Sequence, residues 1–401
     1  MAEVPDYLQT LVDRWEPDAF DSPTGRARIR LGVLRKPRHW DVVVKGKEAR
    51  IKPANLDEDP DATIDADEPT WRKIGEDLRG GMEAYSRGKL QIRHNLHVGV
   101  GFLAASSGLK EEGRLEFHRA KTKRCEISYL QAGTGYPVIC IHGLGGTKGS
   151  FLPTVAALAD DYRVIALDLP GFGDSEKPIA ASYNPAFFAE NVEAFMDELK
   201  IDKAHIVGNS MGGRVALELG FEHHERVDHI ALLAPSLAWL RERPWAGPLK
   251  FVRPELGMFH IAPRPIVEAI VKRVIPNADQ GWTAAGVDEF LRAYLQPRGR
   301  AAFYAAARQI YLEEPHGENG FWTRLSALEA DSLFVWGKRD RVVPIAFARH
   351  VEEALPRAEH VEIDCGHVPQ VERPKETHAA VMKFFAGQQQ RKAAPRRAAT
   401  A

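Results

Sequence analysis

The stretch Ala204-His205-Ile206-Val207-Gly208-Asn209-Ser210-Met211-Gly212-Gly213 ends an apolar, β-type run in a serine framed by glycines. It reads GxSxG. A nucleophile held on a tight strand-to-helix turn takes a positive φ and crowds the residues two before and two after it, which gives Gly208 and Gly212 a reason. Gly213 then lets the following helix, at about 214–222, lie close on a sheet. Taken alone the pattern is weak, and a serine in a glycine loop is the plain alternative. Its surroundings strengthen it. Short apolar runs alternate with helical periodicity: 138–141 and 163–167, a helix over 186–199, runs at 228–233, 332–336 and 360–363, and a closing helix at 374–385. Runs without polar alternation are expected of strands buried on both faces of a mostly parallel sheet. Runs at 115–120 and 125–131 read as a hairpin leading into it. The alternation predicts a doubly wound, mostly parallel α/β sheet with its site at the carboxyl ends of the strands.

A serine hydroxyl is a poor nucleophile at neutral pH and needs an adjacent base. His367 follows the last apolar run in a glycine-preceded loop, where a neutral imidazole can take the proton of Ser210 and return it to a leaving group. Asp340 lies four residues beyond Trp336, placed to orient that imidazole. Its rivals are weaker. Asp331 precedes the run, Asp364 is too near His367 in sequence to face its ring easily, and Ala234-Pro235-Ser236 offers no carboxylate after the preceding strand. His223 and His224 follow the serine helix without such a loop.

Between 236 and 325 the alternation stops. Helical patterns at 266–275, 286–295 and 300–312, interrupted by Pro244, Pro248, Pro254, Pro263, Pro265 and Pro276, predict an inserted helical lid. Trp239, Trp245, Phe251 and Met258, with Leu240 and Phe259, are apolar enough to line an acyl pocket or to pack the lid's own helices.

Five segments in order, "HGLGG" at 142–146, "DLPGFGDS" at 168–175, "GNSMGG" at 208–213, "WGKRDRVVP" at 336–344 and "CGHVPQVERP" at 365–374, resemble the α/β-hydrolase superfamily over residues 114–386. The resemblance implies a triad of Ser210, Asp340 and His367 and an oxyanion hole built from the backbone amides of Leu144 and Met211. It also implies a structural His142, a loop-shaping turn at 168–175 with Asp174 hydrogen-bonded internally, and a buried, inert Cys365. A serine nucleophile argues against the superfamily's aspartate-dependent epoxide hydrolases and haloalkane dehalogenases. The expected enzyme is a serine hydrolase of lipase or carboxylesterase type, cleaving a hydrophobic carboxylic ester through an acyl-enzyme with no cofactor and no metal. "GNSMGG" is also similar to the C–C bond hydrolases of ring-fission products, although those often have a serine-containing "HGSGP" loop where this chain has Leu144. A non-catalytic lipid-binding or transfer protein is the alternative from a different class.

The first third differs. A helix carrying Tyr7, Leu8, Leu11, Val12 and Trp15 precedes strands at 27–34, 40–44, 48–53 and 62–66, and a helix with Trp71, Ile74 and Leu78 on one face. A last helix and strand run through 82–104, the strand at 92–103. "DATIDADEPTW" and Gly81-Met82-Glu83-Ala84-Tyr85-Ser86-Arg87-Gly88-Lys89-Leu90-Gln91-Ile92 resemble the sterol carrier protein type 2 family over about 25–107, which implies an apolar tunnel for acyl chains or sterols. A small α+β unit that only supports its neighbour is the simpler reading. The predicted division is an α+β domain at 1–110, an α/β core at 111–235 and 326–386, a helical lid at 236–325 and a disordered basic tail at 387–401.

Composition bounds the rest. With 401 residues, 44% hydrophobic and 27% charged, the chain is long enough for two or three folded units. A net charge of -1 gives no reason to expect nucleic acid as partner. Cys125, Cys140 and Cys365 form no disulfide framework and have no metal-ligand spacing, and no run approaches a membrane span. The start, MAEVPDYLQTLVDRW, resembles no secretory signal, so the expected location is the cytoplasm. A hydrophobic small molecule or lipid ester is the expected partner, and association into a homo-oligomer is left open.

Overall fold

A computed structural model describes residues 3–22, 24–34, 38–74, 89–108, 112–238, 251, 253–259, 263–274 and 281–393. The apolar runs around Ser210 become one sheet of eight strands: β6 (Glu116–Lys121), β7 (Glu126–Ala132), β8 (Tyr136–Ile141), β9 (Tyr162–Leu167), β10 (Ala204–Asn209), β11 (Val227–Leu233), β12 (Asp331–Gly337) and β13 (Glu359–Ile363). Their order is β13-β12-β11-β10-β8-β9-β7-β6. The hairpin β6–β7 and the β7–β9 pair are antiparallel, and the other pairs are parallel. From β8 the chain moves outward to β9 and then returns to β10. Strand order therefore reverses at β8, and in sheets of this kind the carboxyl ends of the strands at such a reversal, here β8 and β10, are where ligands bind. Every residue of β10 is buried, the polar His205 and Asn209 included, as expected of a central strand covered on both faces.

Five earlier strands form a second sheet: β1 (Arg26–Val33), β2 (His39–Lys45), β3 (Glu48–Pro53), β4 (Ala62–Ala66) and β5 (Leu90–Arg93). The order is β3-β2-β1-β4-β5, with β1 and β4 parallel. Gly46, at φ 59°, makes the β2–β3 turn. Residues 81–88, which carry most of the sterol-carrier resemblance, and Leu78 lie outside the described residues.

One element differs from the sequence reading. The strand expected at 92–103 is instead the short β5 followed by a helix, Leu96–Ala105, whose ten residues are all buried. Asn95 caps it, its side-chain oxygen accepting from the Val98 amide at 3.0 Å. A helix that is apolar all round is a core helix, and this one lies between the two sheets. Phe102 and Leu103 share one apolar cluster with Ile29 and Trp71 of the first unit and with Phe117 and Leu130 of the second. The carboxyl terminus differs too. The closing helix runs Pro374–Ala393, past the tail boundary expected at 387, because its Ala, Gln, Lys and Arg residues favour helix; residues 394–401 lie outside the described residues.

The joint between the two sheets also reaches the helix Gly281–Tyr294. Arg93 sets two nitrogens on Asp288 at 2.6 and 3.2 Å, the His94 amide donates to the same carboxylate at 3.0 Å, and the Leu96 amide donates to Glu289 at 2.7 Å. Burial opposes ionisation of Asp288, but Arg93 and the His94 amide hold its carboxyl below the usual range. Replacing Arg93 with Ala is expected to cost about 1–2 kcal/mol, the lower part of the range for charged hydrogen bonds because the Arg93 side chain is 41% exposed. Equilibrium urea unfolding checks this, and Asp288→Ala should cost less on the Arg93→Ala background than alone.

Candidate active site

Ser210 follows β10 with φ 54° and ψ -117° and begins the helix Met211–Glu222. That backbone is strained for a residue with a side chain, and the neighbouring glycines make room for it. A Cβ on Gly208 would lie 2.4 Å from the Gly212 carbonyl oxygen, and one on Gly212 would lie 2.0 Å from that of Ile141. Only glycine fits either place.

The three residues singled out for chemistry converge although 157 positions separate Ser210 from His367. His367 Nε2 lies 2.8 Å from Ser210 Oγ, and His367 Nδ1 lies 2.7 Å from Asp340 Oδ2. The other Asp340 oxygen accepts from the amides of Val342 and Val343, at 2.7 and 2.9 Å. Asp340 is thus buried, hydrogen-bonded at both oxygens and fixed in direction. The rivals are occupied elsewhere: Asp364 faces Arg339 at 2.9 Å, and Asp331 faces Arg357.

Two residues that sequence reasoning passed over hold the histidine loop. Asn209 Nδ2 donates to the carbonyls of Leu233 and His367, at 2.9 and 3.2 Å. Glu372 accepts from the amides of Gly366 and Val368, at 2.7 and 3.0 Å, which clamps the loop on both sides of the imidazole. Both lie inside the quoted motifs, so the signal was present without its geometry.

The loop after β8 approaches the serine closely. A Cβ on Gly143 would lie 3.1 Å from Ser210 Cβ, and Gly145 takes φ 73° with the rings of Phe290 and Phe303 against it. These two rings meet edge to face at 5.6 Å. Leu144, between the glycines, packs partly buried against the same core, and Met211 is buried at the helix start. His142 is buried and structural in its contacts: Nδ1 lies 2.8 Å from the Gly143 carbonyl, and Nε2 accepts from the Leu169 amide at 3.0 Å. Burial pushes its pKa down.

Beneath this loop is a buried charge network. Lys148 Nζ donates to Asp168 at 2.6 Å and to Asp174 at 3.2 Å, and Arg292 donates to Asp174 at 2.6 and 3.1 Å. Asp174 therefore reaches outward to Lys148 and Arg292, whereas Asp168 shapes the turn by accepting from the amides of Asp174 and Lys148. The expected internal role belongs to Asp168. His97 of the core helix stands 3.5 Å from Asp174, which ties the first unit to the same network.

The expected pocket residues that are described do not meet Ser210. Trp239, Leu240 and Trp245 lie outside the described residues, and Phe251 and Phe259 are exposed. Met258 helps line a cavity of about 230 Å³ between the segment 178–183 and the helix Pro297–Leu312, whose walls do not include Ser210, His367 or Leu144. Cys365 is fully buried, and burial pushes its thiol up to about 12.

Comparison with known proteins agrees with this geometry. Residues 136–255 match the family model described as alpha/beta hydrolase fold. The chain is 32% identical over 285 residues to the dihydrolipoyllysine-residue acetyltransferase component of the acetoin cleaving system of Cupriavidus necator, covering 69% of this chain and 71% of that protein. It is 31% identical to the 2-hydroxy-6-oxo-6-phenylhexa-2,4-dienoate hydrolase of Burkholderia cepacia, covering 65% of this chain and 91% of that one. Among solved structures, a membrane phospholipase A described as a bacterial virulence factor superposes with a TM-score of 0.52 at 30% identity, covering 68% of this chain and 86% of the other. With its mixed sheet, its strained serine turn and these relatives, the chain belongs to the alpha/beta hydrolase fold family.

Proposed function

We propose that the protein is a serine hydrolase that cleaves a hydrophobic carboxylic ester through an acyl-enzyme. The observation that carries this reading is the hydrogen-bonded line Ser210–His367–Asp340 on a strained turn. His367 takes the serine proton as Oγ attacks the acyl carbon, and the resulting imidazolium faces the Asp340 carboxylate. The amides of Leu144 and Met211 are the proposed oxyanion donors, the second at a helix N-terminus that favours negative charge. His367 then protonates the leaving alcohol and activates the water that releases the acid. Arg214, one turn along the helix from Ser210, is held by Glu313 and Glu218 rather than facing an anionic substrate, which favours a neutral one.

The helices Arg264–Val274, Gly281–Tyr294 and Pro297–Leu312 are proposed as the lid, with Phe290 and Phe303 as its apolar wall over the oxyanion loop. For the first unit we favour support over lipid carriage. Leu8, Leu11, Trp71 and Phe102 belong to one packed cluster there, and Arg93 and Leu96 grip the lid helix. The relative from Burkholderia cepacia, named for a dienoate, supports a second reading as a C–C bond hydrolase.

Turnover of p-nitrophenyl esters of increasing chain length, beside a ring-fission substrate, separates the two. Ester hydrolysis that improves with chain length, together with covalent labelling of Ser210 by a fluorophosphonate, is the expected result. Turnover of the ring-fission substrate alone favours the second reading, and failure to label overturns both.

A further inference from the structure

At the opposite end of β10 from Ser210, three potential ligands converge on one point. His205 Nδ1 and His229 Nδ1 lie 3.1 Å apart, and Asp228 Oδ2 lies 3.5 Å from the first and 3.1 Å from the second. Both imidazoles are 1% exposed, and the Asp228 side chain is 14% exposed.

The backbone accounts for the meeting. The pairing of β10 with β11 matches Ala204 to Val227 and Ile206 to Ile230, so the β11 side carries one extra residue between the two matches. In a regular strand Asp228 and His229 point to opposite faces. A bulge puts successive residues within reach of the same neighbour, here His205. The imidazoles are packed in place: His205 stacks on Phe385 at 4.3 Å, and His229 meets Phe384 edge to face at 5.8 Å.

Protons alone serve this triangle poorly. A single proton on either Nδ1 must be shared between the other nitrogen and the carboxylate, and the unshared pair of atoms then faces lone pair to lone pair. Protons on both nitrogens face each other at 3.1 Å. A cation accepts all three lone pairs together. Tetrahedral zinc with bonds of about 2.0–2.2 Å sets its ligands roughly 3.3–3.5 Å apart, close to the separations found here. Two nitrogens and one oxygen suit a borderline first-row ion rather than calcium or magnesium. Lys203 Nζ lies 3.9 Å from the other Asp228 oxygen, Oδ1.

We propose that His205, Asp228 and His229 form a divalent transition-metal site, with zinc the best fit, that ties β10 to β11 at the end of the sheet remote from Ser210. The proposal is independent of the reaction assigned above.

The test uses the full chain, stripped with a chelator and then titrated with zinc chloride against a chromophoric zinc indicator. Tightly bound zinc at one equivalent per chain is expected, as is a rise in thermal midpoint that the chelator reverses. Asp228→Asn should weaken binding at least tenfold, and His229→Gln should abolish that equivalent. His367→Ala, which removes the imidazole at the other end of the sheet, should retain it. If His229→Gln fails to fold, Asp228→Asn alone decides. Cobalt(II) should give the strong visible bands of a tetrahedral site. Absence of a tight equivalent in the wild type, or its full retention in Asp228→Asn, overturns the proposal.

Discussion

Replacing Ser210 with Ala is expected to lower kcat for p-nitrophenyl ester hydrolysis by about 10⁴- to 10⁶-fold, with no loss of thermal stability. The serine hydroxyl supplies the bond-forming atom, and among the described residues it is the group hydrogen-bonded to His367 Nε2. His367→Ala should cost a similar factor, and the double variant hardly more, because nucleophile and base act as one unit. Asp340→Asn tests the remaining link. An amide at that position can present a donor to His367 Nδ1 and favour the wrong tautomer, so a loss of about 10⁴-fold is expected. Activity above one tenth of wild type in Ser210→Ala would remove the serine from the mechanism.

Lys148→Ala is expected to destabilise the fold by about 3–5 kcal/mol, because it leaves the buried Asp168 carboxylate without its cation and Asp174 with Arg292 alone of its two strong partners. Lys148 is 2% exposed, Asp168 is 0% and Asp174 is 8%. Burial opposes every charge here, but the partners prevail. Lys148, His97 and Arg292 hold the Asp174 carboxyl well below the usual range, and Lys148 does most to lower that of Asp168. Two carboxylates whose folded pKa values are depressed contribute stability that is fully present above their unfolded values, near 3.8, and is lost as pH falls through the lower folded values. Urea midpoints of the wild type should therefore fall steeply below about pH 4. In Lys148→Ala the Asp168 carboxyl loses its main cation while Asp174 keeps Arg292, so that share of the acid-dependent loss disappears and the midpoint should fall less steeply below about pH 4. A variant as stable as wild type at pH 7 would show that the network is dispensable.

The α/β core was legible because each of its determinants is local. GxSxG states the strained turn, unbroken apolar runs state the strands, and the loops bearing Asp340 and His367 follow such runs directly. The helix Leu96–Ala105 was not legible. Its valines, leucines, phenylalanine and alanines suit a buried strand as well as a buried helix, and only Asn95, acting as a cap, distinguishes them. Asp174 misled for a related reason. Its partners Lys148 and Arg292 come from distant parts of the chain, and no spacing announces them. Phe290 and Phe303 were passed over for tryptophans earlier in the insertion because periodicity places a residue on a helix face without saying what that face meets.

The grip of Arg93 on Asp288 has a consequence in time. The two residues are 195 positions apart. At ribosomal speeds of about 5–20 residues per second, the first unit emerges roughly 10–40 s before the helix it will hold. During that interval Arg93 and the Leu96 amide wait in water, while Phe117 and Leu130 arrive early enough to cover the helix Leu96–Ala105. The nascent chain thus gains its apolar seam first and its charged fastening last, so the helix Gly281–Tyr294 joins a surface already built to receive it.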